Sequence, residues 1–306
     1  MVIPRAQLET WAHQGATTTA VATHESIRYA LETANTSGVK GRNFEIFLQG
    51  SYRNATNIYA DSDVDVVVLS HEAFSRDPSR LTGVQRAMED RDWALLPMAT
   101  YTWSDFRRDV LASLRAHYGA AGVHEGNKAI KVDGGNGRLT ADVVPSIDHR
   151  LYTSYGLTLA VPRNHVDGIT FWDRAGNQVV NFPKQHIDNG QAKNDLRRTN
   201  GNYKPTVRMF KNARRYLVER GNLGQGVAPS YFVECLLYNV PDALFVADQQ
   251  VAMRGILQWL NNANKLLFLC QNGQVLLFGL GASQWTMPNA DALIAAMTTM
   301  WNNWPL

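Results

Sequence analysis

The run DVDVVVL at residues 63–69 constrains this chain more than any other. Its valines and closing leucine have the composition of a strand buried on both faces in the middle of a sheet. Yet the run opens with Asp63 and Asp65, and a buried strand excludes carboxylates that nothing neutralises. Residues i and i+2 of a strand point the same way, roughly 6–7 Å apart. The two acids therefore stand side by side and repel unless a proton or a cation lies between them. Mg²⁺ takes oxygen ligands and commonly joins one or two carboxylates to the phosphates of a nucleotide. A pair of ions about 3.5–4 Å apart also suits this spacing. Solvated acids at the start of a strand are the competing reading.

The segment just upstream favours the metal. NFEIFLQ (43–49) alternates like a strand and runs into Gly50 and Ser51, after which a polar loop returns to Asp63. Glycine lets backbone approach a phosphate, and a serine hydroxyl with neighbouring N–H groups can hold its oxygens, so Gln49, Gly50 and Ser51 are candidate nucleotide-binding residues. A third carboxylate is then expected, to complete a second ion's shell and activate an attacking hydroxyl. Asp142 in RLTADVVP is the candidate, because Thr140 and Val144 make its face of the strand read as core. Asp133 is a weaker rival explained by turn chemistry, and Asp61 and Asp148 read as loop residues.

Around these motifs, THESIRYALETANTSG (23–38) reads as a helix capped by Thr23, and SDFRRDVLASLRAHYG (104–119) as another capped by Ser104. KAIKV and RLTADVV flank DGGNG as a β-hairpin, with Pro145 closing the second strand. A glycine- and asparagine-rich stretch with one short strand, QVVNF (178–182), leads to Pro205, beyond which four helical patterns follow. In the first, Lys204, Arg208, Lys211 and Arg215 are spaced 4, 3 and 4 and form one basic stripe beside an apolar face. Ser230 and Tyr231 follow Pro229 at a helix start, where a hydroxyl and free N–H groups favour phosphate and a ring can stack on a base. Trp259, Trp285 and Trp301 suit helix packing. A β-rich first half and a helical last third give an α+β chain, a mixed β-sheet with helices followed by a helical lobe.

GSYRNATNIYADSDVDVVV with the downstream ADVVP resembles the core of polymerase-β-like nucleotidyltransferases. YKPTVRMFKNARRYL and APSYFVECLLYNVP extend the likeness to the cGAS/DncV-like group, the bacterial CD-NTases, and most nearly to the CdnE clade. The resemblance implies a nucleotidyltransferase core with its N-terminal helix over residues 1–192 and a helical substrate-binding lobe over 193–306. It implies that Asp63, Asp65 and Asp142 hold two Mg²⁺ ions, with Mn²⁺ as a possible substitute. Lys211, then Lys204, and Ser230 with Tyr231 would hold the donor nucleotide. It also implies a cyclic dinucleotide product, uridine-containing in that clade (cyclic UMP-AMP or cyclic di-UMP, made from UTP and ATP), read by a separate effector in anti-phage signalling.

Composition narrows the alternatives. The 306 residues are 45% hydrophobic and 19% charged, with net charge +3, two cysteines and no CxxC. That charge is too small for a polyelectrolyte binder, so strong nucleic-acid binding is not expected. Neither a signal segment nor an apolar run of membrane length is present, and a cytoplasmic, monomeric enzyme is expected. A nucleotidyltransferase acting on an antibiotic or RNA end, or making another cyclic or linear oligonucleotide, is the alternative. A non-catalytic binding module would be expected to have lost an acid, and a plain interaction protein leaves the three acids unexplained as a set.

Overall fold

The computed structural model describes residues 2–59, 63–156, 163–281 and 284–305, and Asp61 lies outside them. The chain forms two compact units that interleave in sequence: Thr17–Gln49 with Ser62–Pro183, and Met1–Ala16 with Gly50–Asp61 and Lys184–Leu306. This grouping differs from a consecutive division at residue 192, for reasons found in the first helix and in the segment after Gly50.

The helical unit begins with α1 (Arg5–Ala12), whose Leu8, Trp11 and Ala12 are buried. They join one apolar cluster with Val207, Phe210, Leu217, Met297 and Trp301, all beyond residue 200, so α1 is part of this core although it precedes the sheet. Trp285 belongs to the same cluster and Trp259 packs against it, as helix packing requires.

In the sheet unit α2 (Thr18–Arg28) begins five residues before the expected helix start. Thr23 lies inside it, with its hydroxyl bonded to the Thr19 carbonyl at 2.8 Å, rather than capping it. Strand β1 (Phe44–Leu48) follows, then α3 (Gly50–Asn54) of the helical unit. Strand β2 (Asp63–Asp77) runs well past residue 69, and α4 (Gly83–Ala94) occupies a polar stretch in which the sequence showed no element. Helix α5 (Trp103–Tyr118) is capped by Thr102 rather than Ser104, in a reciprocal box with Asp105. Strands β3 (Val123–Glu125), β4 (Ile130–Val132) and β5 (Thr140–Ser154) complete the hairpin region. Strands β6 (Asn164–Trp172) and β7 (Gln178–Asn181) extend the sheet where only one short strand was expected.

The strand order is β1-β2-β5-β4-β3, with β6 pairing β5 and β7 pairing β6. β2 and β5 are parallel, and the other pairs are antiparallel. β5 continues through Pro145 to Ser154. On its second side it pairs with β4 as far as Val143 and with β6 only from Ile147. Pro145 falls in the gap, where a residue that cannot donate to a ladder is tolerated. Asp148 therefore sits within a strand, 3.1 Å from His71 Nδ1, not in a loop.

The remaining elements are α6 (Pro183–Lys193), α7 (Tyr203–Glu219), α8 (Ser230–Tyr238), α9 (Gln249–Asn262) and α10 (Met287–Asn302). No described helix is long and apolar enough to cross a membrane.

Candidate active site

On β2, Val64 and Val66 are fully buried, while Asp63 and Asp65 alternate with them on a half-open face. β5 repeats the arrangement, with Ala141 and Val143 buried and Thr140, Asp142 and Val144 half-buried. Asp142 thus does not interrupt a core pattern, as its neighbours in sequence suggested. It lies on the strand's open side, directly opposite Asp65 in the parallel register. With neighbouring strands about 4.8 Å apart, the sheet brings all three acids together from residues 63 to 142.

The electrostatics are those of crowded anions. Burial, and then the charge of Asp63, push the Asp142 carboxyl above the ordinary aspartate range, and Lys131 opposes them. Lys131 pairs with Asp142 across the hairpin and sets its Nζ 3.8 Å from Asp63 Oδ2, where a positive charge is wanted. Its position follows from the hairpin register, so the sequence held the signal without its being used. Asp133 instead stands 2.9 Å from His124, in the turn that follows β4.

Among the described residues no group of three or more His, Cys, Asp or Glu side chains could hold a metal by itself. A hard cation completed by substrate phosphate and water needs only one or two carboxylates, and the repulsion at Asp142 is what such a cation relieves. The acid edge therefore suits Mg²⁺ bound together with a triphosphate. Gln49 ties the end of β1 to this edge, its N–H donating to the Asp65 carbonyl at 2.9 Å.

In the helical unit Gly50 opens α3 with φ +68°, a left-handed conformation that a residue with a Cβ resists, and Ser51 follows it half-exposed. The segment after α3 is anchored deeply. Asn57 is fully buried, accepts from Gln14 Nε2 at 2.8 Å and donates to the Gly15 carbonyl at 3.0 Å. A Cβ on Gly15 would stand 2.8 Å from the Ile58 carbonyl oxygen, so that crossing needs glycine.

The basic stripe of α7 is not a solvated one. Lys211 is 1% exposed, paired with Glu234 at 2.5 Å, and donates to the Thr56 carbonyl at 3.1 Å. The Thr56 hydroxyl donates to Glu234 at 2.7 Å, and His186 Nε2 lies 3.2 Å from the other carboxylate oxygen. Burial alone would raise Glu234; Lys211 and His186 outweigh it and hold the carboxyl below its ordinary value. Lys211 is therefore a structural cation that clamps the Thr56 segment, and its ammonium is not presented to a phosphate.

Arg208 is similarly committed. Its guanidinium bonds the Ala12 carbonyl at 2.7 Å and the Ala55 carbonyl at 2.6 Å, and burial lowers its pKa to about 10. Lys204 is half-buried, donates to Gln191 at 2.9 Å, and is lowered by burial, with the charges of Arg208 and Arg53 adding to it. Arg53 is exposed on α3 two residues after Ser51, and is a candidate phosphate contact that the GSYRN run contained unnoticed. Ser230 and Tyr231 begin α8 as expected. Tyr231 remains 37% exposed, with one ring face stacked on His186 at 5.4 Å.

Residues 188–302 match the cGAS/DncV-like nucleotidyltransferase C-terminal helical domain. The cyclic UMP-AMP synthase of Rhodothermus marinus is 45% identical over 305 residues, 99% of each chain. The cyclic nucleotide synthase CdnE01 of Staphylococcus haemolyticus is 40% identical, over 99% of this chain and 100% of its own. The solved structure of the Rhodothermus marinus CdnE c-UMP-AMP synthase with Apcpp and Upnpp superposes with a TM-score of 0.85 at 43% identity, covering 99% of this chain and 98% of that one. The chain belongs to the cGAS/DncV-like nucleotidyltransferases, and within them to the CdnE cyclic nucleotide synthases, with the polymerase-β-like core and C-terminal helical domain of that family.

Proposed function

We propose that this enzyme joins UTP and ATP into cyclic UMP-AMP, a second messenger read by a separate effector in anti-phage signalling, and that it needs Mg²⁺ or Mn²⁺. The observation that carries the chemistry is the placement of Asp65 opposite Asp142 beside Asp63 on one half-open sheet face. The uridine–adenosine choice is supported by the 45% identity to a relative named for that product.

Mg²⁺, when bound, neutralises the triphosphate and lowers the pKa of the acceptor's ribose hydroxyl. Asp63 and Asp65 would supply its oxygen ligands, and together with Asp142 those of a second ion. Asp142 completes the anionic edge toward which the acceptor hydroxyl loses its proton. The hydroxyl oxygen then forms a bond to the α-phosphorus, the α–β bridging bond breaks, and pyrophosphate departs. A second transfer with the roles of the two nucleotides exchanged closes the ring. Gln49, Gly50 and Ser51 hold phosphate oxygens, with Arg53, Lys204 and Ser230 as further donors, and Tyr231 offers a ring to a base. Catalysis of this kind lies mainly in positioning and charge stabilisation.

The test is incubation of purified protein with Mg²⁺ and all four NTPs, one α-phosphate labelled at a time, followed by phosphatase digestion and mass analysis. A resistant species labelled by both UTP and ATP is expected. Label from UTP alone would replace the product with cyclic di-UMP. No resistant species with either metal would move the reading to another acceptor, such as a small molecule or an RNA end.

A further inference from the structure

A second concavity of the sheet unit contains none of the three acids. It encloses about 270 Å³ and lies between the start of α5, the end of β3 and the turn after β6. Trp103 and Trp172 form one wall, with ring centroids 5.0 Å apart and planes inclined by 53°. Trp103 is fixed by donating its Nε1–H to the Pro145 carbonyl at 2.8 Å, so its ring is presented rather than loosely exposed.

Arg107 and Arg174 also line the concavity, and with Arg115 outside it they surround Glu125. Arg107 bonds Glu125 at 3.0 Å, Arg115 lies 3.4 Å from the other carboxylate oxygen, and Arg174 Nη1 donates to the Glu125 carbonyl at 3.4 Å. All three charges hold the Glu125 carboxyl below its ordinary value, the Arg107 hydrogen bond most strongly. One carboxylate cannot balance three guanidiniums. Asp173 is held ionised by Ala175 N–H, Asn177 N–H and the Asn177 amide of its own turn, with Lys128 nearby, so Glu125 and Asp173 set two negative charges against the four positive charges of Arg107, Arg115, Arg174 and Lys128. Positive charge therefore remains beside a pair of indoles.

We infer that this concavity is a ligand site for a planar heteroaromatic ring bearing one phosphate, the chemistry of a nucleoside monophosphate. Indole faces stack on a π-ring, and arginine forks match phosphate oxygens. The volume, about 270 Å³, falls just below the about 300–1,000 Å³ range of small-molecule pockets, which suits a mononucleotide and not a dinucleotide. The same chemistry occurs in the enzyme's own triphosphate substrates, so the source is part of the question.

Photolabelling of the full chain with 8-azidoadenosine 5′-monophosphate, and separately with 8-azido-ATP, locates the ligand by peptide mapping. The monophosphate is expected to mark peptides carrying Trp103–Arg107 or Trp172–Arg174, and unlabelled AMP is expected to compete. Arg174→Ala changes an exposed side chain and is expected to reduce that labelling at least tenfold, with the rate of product synthesis unchanged. Trp172→Ala should do the same if it folds. Label confined to other peptides, or undiminished in Arg174→Ala, overturns the site. Label here from the triphosphate alone overturns the monophosphate assignment.

Discussion

Asp63, Asp65 and Asp142 stand together because two parallel strands are in register, and their side chains repel without a cation. The consequence differs with and without metal. The Asp142 carboxyl holds its proton more tightly in the folded chain than in the unfolded one. Its contribution therefore favours folding at low pH and turns unfavourable as pH rises from the ordinary aspartate value toward the raised one. At neutral pH in chelator, Asp142→Asn should melt at a higher temperature than the unsubstituted chain, because an amide removes both the desolvated charge and its repulsion from Asp63. An unchanged or lower melting temperature would count against the crowding. Asp65→Asn should leave the circular dichroism spectrum intact and lower product synthesis by about 10²–10³-fold or more, the scale of losing one preorganised electrostatic contact. Synthesis at the normal rate would sink the metal assignment. Sequence carried the strand positions of the acids: the pair at 63 and 65 and the third acid at 142 were legible from period-two alternation. It did not say which face was open, since Val144 beside Asp142 looks like core until the neighbouring strands are placed.

Helix α7 shows what a helical pattern alone cannot decide. Lys204, Arg208, Lys211 and Arg215 share one stripe, but Met209, Lys211 and Asn212 are buried along with the apolar face, so the helix is enclosed on more than one side. Periodicity finds a stripe and cannot tell solvent from a second packing surface. Strand β6 and helix α6 were missed for a related reason. PKQHIDNGQAK has weak intrinsic helix propensity and is held by tertiary contacts, such as Lys193 bonding the Val240 carbonyl at 2.7 Å and Asp242 at 2.9 Å. The buried pair of α7 and α8 gives a stability prediction. Lys211→Met leaves Glu234 buried with the Thr56 hydroxyl and His186 but without its ammonium partner and should cost about 3–5 kcal/mol, whereas adding Glu234→Gln should recover much of that. Urea titrations of the two variants provide the comparison, and equal losses would show that the charges are not coupled. Glu234 sits below its ordinary value of 4.5, so its stabilisation is present above that pH and is lost as pH falls through the lower folded-state value. Glu234→Gln should accordingly weaken the acid limb of the stability profile while shifting the alkaline limb little.

The whole chain does not divide at one point, because Ile3, Leu8 and Trp11 share a core with Val207, Phe210 and Met300 while the sheet lies between them in sequence. The segment after Gly50 is bound to the same unit through Thr56, Lys211 and Glu234. A boundary at residue 192, natural from the change in composition, therefore cuts through a single core. Fragment 1–192 would expose the apolar face of α1 and leave Thr56 without its buried partners. Fragment 193–306 would keep Lys211 and Glu234 and lose both Thr56 and His186, a loss that a buried ion pair tolerates badly. Expressed separately, each is expected to bind 8-anilinonaphthalene-1-sulfonate and to melt without a cooperative transition, the behaviour of chains with exposed apolar surface and no fixed packing. The full chain should show neither property. A soluble 1–192 fragment with a sharp melting transition would mean that the sheet and its flanking helices need no part of the helical core. The interleaving would then be a matter of chain path and not of stability. The interleaved core predicts the opposite: the segment at Gly50 and Ser51 holds its shape only when the helical unit is complete.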